Sequence, residues 1–161
     1  MLIKNIIEED FVNYRVPSMF IAFPSCSFKC DKENGCSLCQ NSRLAQEPNI
    51  GISATTIASR YINNPISEAI ICGGLEPFDS APDLLELVEI IRKWKSIKDD
   101  IVIYTGYTEE ELQNNFYFQQ ITQYPNIIIK FGRFRPNEEK HFDEVLGVSL
   151  ASSNQYAKRY N

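Results

Sequence analysis

The chain of 161 residues has one histidine, one tryptophan and no long apolar run. No stretch approaches the roughly 20 consecutive apolar residues of a membrane span, and the N-terminal segment has no apolar core typical of a secretion signal. Sixteen basic residues against twenty-one acidic ones give a net charge of -5, which disfavours a nucleic-acid backbone as the main partner. These absences predict a cytoplasmic protein with no membrane and no nucleic-acid partner.

The lone histidine, His141, lies in the polar stretch NEEKHFDE and is interpreted as a surface residue without a catalytic role. Internal repeats, low-complexity segments and linkers are also missing. Hydrophobic residues make up 43% of the chain and aromatic residues 12%, which is enough for one sizeable core. We therefore expect residues 1–161 to form a single domain.

Cysteine is abundant by contrast, because four of the five cysteines, Cys26, Cys30, Cys36 and Cys39, lie within fourteen residues. Thiols stay reduced in the cytoplasm, so such a cluster favours metal ligation over disulfides. Thiolates at this spacing can converge on one soft metal centre. A metal-binding loop is predicted at about residues 25–41. The fifth cysteine, Cys72, ends an apolar run and is interpreted as a small buried hydrophobe.

Apolar runs alternate with helical patterns along the rest of the chain. Strands are predicted at 18–24, 68–72, 101–106 and 126–132. Helices are predicted to begin at a Ser53 cap, near Pro82 and at a Thr108 cap, where Glu111 completes a capping box. Trp94 is interpreted as a core residue, and the polar segment DKENG at 31–35 as irregular. This alternation predicts an α/β fold with a mostly parallel sheet and right-handed crossovers.

Cys26, Gly73, Thr105 and Gly132 each lie at or just after a predicted strand end, so we expect them to face one common mouth. The basic residues Lys130, Arg133 and Arg135 interleave with aromatic residues nearby. So short a patch in an acidic chain is interpreted as a solvated loop edge, not as a nucleic-acid site.

Four segments together resemble a known family: CSFKC at 26–30, CQN at 39–41, GGLEP at 73–77 and LGVSLASSNQ at 146–155. They are similar to the radical S-adenosylmethionine (SAM) superfamily, and within it to the activating proteins of anaerobic ribonucleotide reductases. The resemblance implies a partial, open β/α barrel of the radical SAM type.

The resemblance also implies a 4Fe-4S cluster held by Cys26, Cys30 and Cys39, with Asn41 in the position of a family asparagine. Three ligands leave one iron open to the amino and carboxylate groups of SAM. The family has two residues between its second and third cysteines, whereas here eight intervene and include Cys36. Cys36 therefore remains an alternative third ligand.

Gly73, Gly74, Glu76 and Pro77 resemble the family's GGEP element, which implies that this turn meets the methionine ammonium of SAM. Glycines permit a close approach, and carbonyls at a strand end can accept hydrogen bonds from an ammonium. Glu76 either binds that ammonium or braces the turn.

The activity implied by the resemblance is reductive cleavage of SAM, and the resulting radical abstracts hydrogen from a glycine of a partner enzyme. The partner is a glycyl radical enzyme such as an anaerobic ribonucleotide reductase, and the electron comes from a flavodoxin- or ferredoxin-like protein. The cofactors carry this radical chemistry, so no catalytic side chain is assigned.

Two alternatives stay open. Phe131 replaces a family aspartate, and the family's Gly-Pro-Gly is absent around residues 13–17, which motivates a radical SAM enzyme acting on a small molecule or peptide. From the cysteines alone, all four clustered thiolates could instead bind zinc in a non-enzymatic interaction module. The identity of the metal separates these interpretations.

Overall fold

The computed structural model describes residues 1–161. Ten strands and six α-helices alternate along the chain. The strands are β1 (Leu2–Ile3), β2 (Asn5–Asp10), β3 (Ser18–Phe23), β4 (Ile50–Gly51), β5 (Ala69–Gly74), β6 (Asp100–Tyr104), β7 (Ile127–Phe131), β8 (His141–Asp143), β9 (Val148–Leu150) and β10 (Tyr156–Tyr160). The helices are α1 (Lys29–Asn34), α2 (Ser42–Gln46), α3 (Ala54–Asn63), α4 (Ala81–Glu89), α5 (Glu109–Leu112) and α6 (Phe116–Ile121).

The main sheet has six strands in the order β10-β7-β6-β5-β3-β2. The four inner strands β3, β5, β6 and β7 pair in parallel, and β2 and β10 close the two edges in antiparallel pairing. The strands β1 with β4, and β8 with β9, form two small separate pairs. The expected α/β class with a mostly parallel sheet is confirmed, and the partial barrel stays a prediction.

One face of this sheet, here called the helical face, is covered by helices. Its core of 24 buried residues joins Ile70, Cys72 and Ile103 of the strands to Leu84 and Leu87 of α4. Alternate residues of a strand point to opposite faces, so Ile70 and Cys72 face the helices together. Most of the buried apolar surface lies here.

The opposite face, here called the open face, carries a cluster of only seven buried residues, among them Ile71 and Val102, and that cluster contains no helix residue. It is covered by the β2–β3 loop and the β8–β9 hairpin. Arg15 of the loop donates to the carbonyl oxygen of Val145 at 2.6 Å, and Tyr104 donates to that of Asn13. Two distant segments of the chain thus form one wall over this face.

The predicted helix starts are confirmed. The Ser53 hydroxyl accepts from the Thr56 amide, and Thr108 and Glu111 form the full reciprocal capping box. Pro82 lies in the first turn of α4, where a missing amide hydrogen costs no helix bond. None of the helices has the length and apolarity that a membrane crossing needs.

Three local predictions are wrong. The segment DKENG is not irregular, because residues 31–34 belong to α1, which Gly35 ends with a φ of +68°. Gly73 and Gly74 do not begin the turn but end β5. Trp94 is 77% exposed, because α4 continues into a wider π-helical turn at Ile90–Trp94 that changes the helical periodicity.

Candidate functional site

A cavity of about 480 Å³ opens on the open face, at the carboxyl ends of the parallel strands. Phe20, Tyr104 and Lys130 come from the strands themselves. Most of the remaining wall comes from the cysteine loop, from β9 and from residues 73–77 at the end of β5, here called the glycine turn. These segments contribute Cys26, Cys30, Cys39, Asn41, Gly74 and Glu76. Of the four residues expected at a common mouth, Cys26, Thr105 and Gly132 line the cavity, whereas Gly74 lines it in place of Gly73.

The four clustered cysteines separate into two groups. Cys26, Cys30 and Cys39 line the cavity and are partly buried. Cys36 is exposed, and its sulfur contacts the Asn34 carbonyl oxygen at 3.5 Å. No three cysteine, histidine or acidic side chains lie close enough to hold one metal ion. A four-iron cluster is larger than a single ion, and its thiolates bind different iron atoms.

The first part of the cysteine loop is fixed by hydrogen bonds to the turn after β5. The Asp79 carboxylate accepts from the Ser27 amide at 2.6 Å and from the Tyr107 hydroxyl at 2.7 Å. The Glu76 amide donates to the Ser25 carbonyl oxygen at 2.9 Å. These bonds place Cys26 directly beside the glycine turn, as the order of strand ends predicted.

The donor set suits a bound cation better than free thiolates. Burial raises the pKa of the Cys26 thiol to about 11 and also raises the pKa of Cys30. A coordinated metal removes the thiol proton and supplies the positive charge that burial otherwise denies the thiolate. Three soft sulfur donors on one cavity therefore fit an iron–sulfur cluster.

The glycine turn is closely packed against β3 and hydrogen-bonded to the cysteine loop. Gly74 has a φ of +78°, and a Cβ there would lie 2.9 Å from the Cβ of Ala22, so only glycine fits. A Cβ on Gly73 would lie 3.1 Å from the Phe20 ring. The side-chain amide of Asn41 donates to the Gly74 carbonyl oxygen, so the segment after Cys39 is joined to the turn.

Glu76 is buried beneath this turn and is fully engaged by donors. One carboxylate oxygen accepts from the Thr105 hydroxyl at 2.8 Å and the Phe78 amide at 3.0 Å. The other accepts from the Gly106 amide at 2.8 Å. Burial raises the pKa of Glu76 to about 7, and these three hydrogen bonds oppose the rise. Of its two predicted roles, the bracing of the turn is visible in the structure.

The basic residues near β7 are not a solvated loop edge, and that prediction is wrong for two of the three. Lys130 is 7% exposed and donates to the Gly132 carbonyl oxygen at 2.8 Å. Burial lowers the pKa of Lys130 to about 8. Arg133 is equally buried and pairs with both carboxylate oxygens of Glu111, at 2.7 and 2.9 Å. Only Arg135 is exposed.

The C-terminal segment is attached to the strand end at Gly132. Gln155 donates to the Gly132 carbonyl oxygen at 3.1 Å, and Asn154 donates to that of Arg133 at 2.9 Å. The Ser152 hydroxyl accepts from the Arg135 amide at 3.2 Å. The two sequence segments at 132–134 and 152–155 therefore form one edge of the cavity.

The chain matches the 4Fe-4S single cluster domain family over residues 15–156. It belongs to that family. A comparison with curated proteins finds no match. Membership in the 4Fe-4S single cluster domain family supports the predicted iron–sulfur cofactor, and it favours iron over zinc at the cysteine loop.

Two polar residues of this 4Fe-4S single cluster domain were not assigned to the site from the sequence. Lys130 lies two positions after Ile128 in β7, so the two side chains are on the same face of the sheet. A lysine inside an apolar strand indicates a polar group that points into a cavity. Asp31 lies in the segment interpreted as irregular, and only the folded loop shows which groups it contacts.

Proposed function

We propose that this 4Fe-4S protein is a radical SAM activase that generates a glycyl radical on a partner enzyme, such as an anaerobic ribonucleotide reductase. The observation that carries the proposal is the convergence of three thiols and a closely packed glycine turn on one open cavity. The three thiols and the glycine turn belong to segments that lie far apart in the sequence and meet at the carboxyl ends of parallel strands.

In this proposal Cys26, Cys30 and Cys39 hold the cluster, and Cys36 stays outside. A bound cluster, once reduced by a flavodoxin- or ferredoxin-like protein, would supply the one electron that splits SAM into methionine and a 5'-deoxyadenosyl radical. Cys36 is the weaker candidate for third ligand because it is exposed and does not line the cavity.

The surrounding residues bind and orient the cofactor. Gly73 and Gly74 allow the cofactor to approach the backbone, and Glu76 keeps the turn in place through its three hydrogen bonds. Lys130 gives the cavity a buried amine that attracts the cofactor carboxylate. Arg133 also lines the cavity, and its ion pair with Glu111 holds that wall in place.

The size of the cavity favours a macromolecular substrate. A volume of about 480 Å³ lies within the usual range for a site that holds one small molecule, which in this proposal is SAM. A second reactant must then approach from the mouth. Phe11 and Val12, on the loop that forms one wall, are 66% and 74% exposed and offer apolar contacts for a partner's glycine-containing segment.

The proposal is tested with protein reconstituted anaerobically with iron and sulfide, then incubated with SAM, a strong reductant and the cognate reductase. We expect 5'-deoxyadenosine and a glycyl radical signal by electron paramagnetic resonance, and neither product with Cys39→Ala.

The other outcomes identify the alternatives. Cleavage of SAM with a modified small molecule or peptide, and no glycyl radical, would replace the activase with a radical SAM enzyme of another substrate class. Stoichiometric zinc without iron after anaerobic isolation would support the zinc module instead.

A further inference from the structure

The segment between Cys30 and Cys39 must reverse direction if both sulfurs are to reach the same cavity. Eight residues intervene, the first four of them belong to α1, and none of the eight lines the cavity. Gly35, with a φ of +68°, then turns the chain back. A positive φ at this helix end is a conformation that glycine adopts without strain.

One side chain closes the loop that results. Asp31 lies directly after Cys30, and its Oδ1 atom accepts from the Leu38 amide and from the Cys39 amide, each at 2.9 Å. One side-chain oxygen thus accepts from two consecutive backbone amides. The contact joins the residue that follows the second cysteine to the backbone of the third cysteine.

Two other features of the loop agree with closure at Asp31. The side-chain amide of Asn34 donates to the Cys30 carbonyl oxygen at 2.8 Å and holds the helical turn that carries Asp31. Cys36 lies at the far end of the closed loop and is exposed. Closure therefore brings Cys39 to the cavity and leaves Cys36 out of it.

We propose that Asp31 is a positioning residue that closes the eight-residue insertion and places the Cys39 thiolate beside Cys30 for cluster binding. It allows two cysteines that are separated by eight residues to bind the same cluster. This inference rests on the proposed ligand set of Cys26, Cys30 and Cys39. It adds a residue that contacts neither iron nor SAM and acts only through the backbone of Cys39.

The test compares Asp31→Ala with Asp31→Asn, whose side-chain oxygen can still accept from both amides. Lys32→Ala, an exposed change on the same helix, is the control. The first measurement is hydrogen exchange of the Leu38 and Cys39 amides in the metal-free protein by nuclear magnetic resonance. We expect slow exchange in wild type, Asp31→Asn and Lys32→Ala, and fast exchange in Asp31→Ala.

The second measurement is iron retained by the reconstituted protein against a chelator. Removal of a residue that orients a metal ligand typically weakens metal binding about 10-fold or more, and we expect that loss in Asp31→Ala. Because α1 buries no side chain, thermal unfolding of the metal-free variants should match wild type. If Asp31→Ala fails to fold, Asp31→Asn still tests the inference, because it should keep both the protection and the iron.

Each remaining outcome is decisive. Iron retention in Asp31→Ala equal to wild type overturns the positioning role and leaves the proposed function intact. Fast exchange of both amides in wild type shows that the closure does not exist. A wild-type protein that takes up no iron removes the proposed function, and the positioning role with it.

Discussion

The two faces of the sheet differ in what covers them. Helices and a core of 24 buried residues cover the helical face, whereas the open face has seven buried residues, a loop, a hairpin and a cavity. Strands such as β5 contribute to both at once, with Cys72 on the first face and Gly73 on the second. The difference indicates that the helical face supplies most of the stability, whereas the open face has room to bind a cofactor.

The largest expected difference between the two faces is that a change on the open face removes the cluster and leaves the fold intact. Cys39→Ala should abolish iron incorporation, because it removes a proposed ligand on the open face and leaves the helical face intact. Cys36→Ala should incorporate iron as wild type does. Iron content after anaerobic reconstitution and thermal unfolding of the metal-free protein check both statements. Iron loss in Cys36→Ala alone would show that the third ligand was assigned wrongly.

The next effect concerns stability. Leu84 is fully buried on the helical face, so Leu84→Ala should lower the free energy of unfolding by about 2–5 kcal/mol. Val12 lies at the rim of the cavity and is 74% exposed, so Val12→Ala should change the free energy of unfolding by no more than about 0.5 kcal/mol. Denaturant titration of both metal-free variants gives the two numbers. Equal losses would contradict the division of roles between the faces.

The smallest effect lies where the two faces meet. Glu76→Gln should cost about 1–3 kcal/mol, because the new amide cannot accept from all three buried donors. It should also weaken SAM binding while the cluster still assembles. Glu110→Gln, an exposed change, is the matched control for calorimetry of unfolding and of cofactor binding. Lower stability with unchanged SAM affinity would restrict Glu76 to bracing the turn.

The sequence predicted those parts of the fold that depend on neighbouring residues. Apolar runs predicted the inner strands, and the Thr108–Glu111 capping box was visible because its two members are three residues apart. The iron–sulfur character of the cysteine loop was also visible, because a cluster of thiols is itself a local pattern. These features need no knowledge of tertiary contacts.

The parts that could not be predicted depend on contacts over long distances in the chain. Arg15 and Val145 are 130 residues apart, and nothing local to either indicates the wall that they form. Trp94 was misplaced because the helix changes from α to π geometry before its end, which a regular helical period does not reveal.

The position of Cys72 also bears on how the protein can be followed experimentally. Burial among the helices raises the pKa of this thiol to about 12, and the side chain is 0% exposed, whereas none of the other four cysteines is fully buried. A thiol reagent can therefore reach Cys72 only when the helical face opens. The rate at which Cys72 is alkylated, followed by mass spectrometry, therefore reports how often the molecule opens globally, without any measurement of iron.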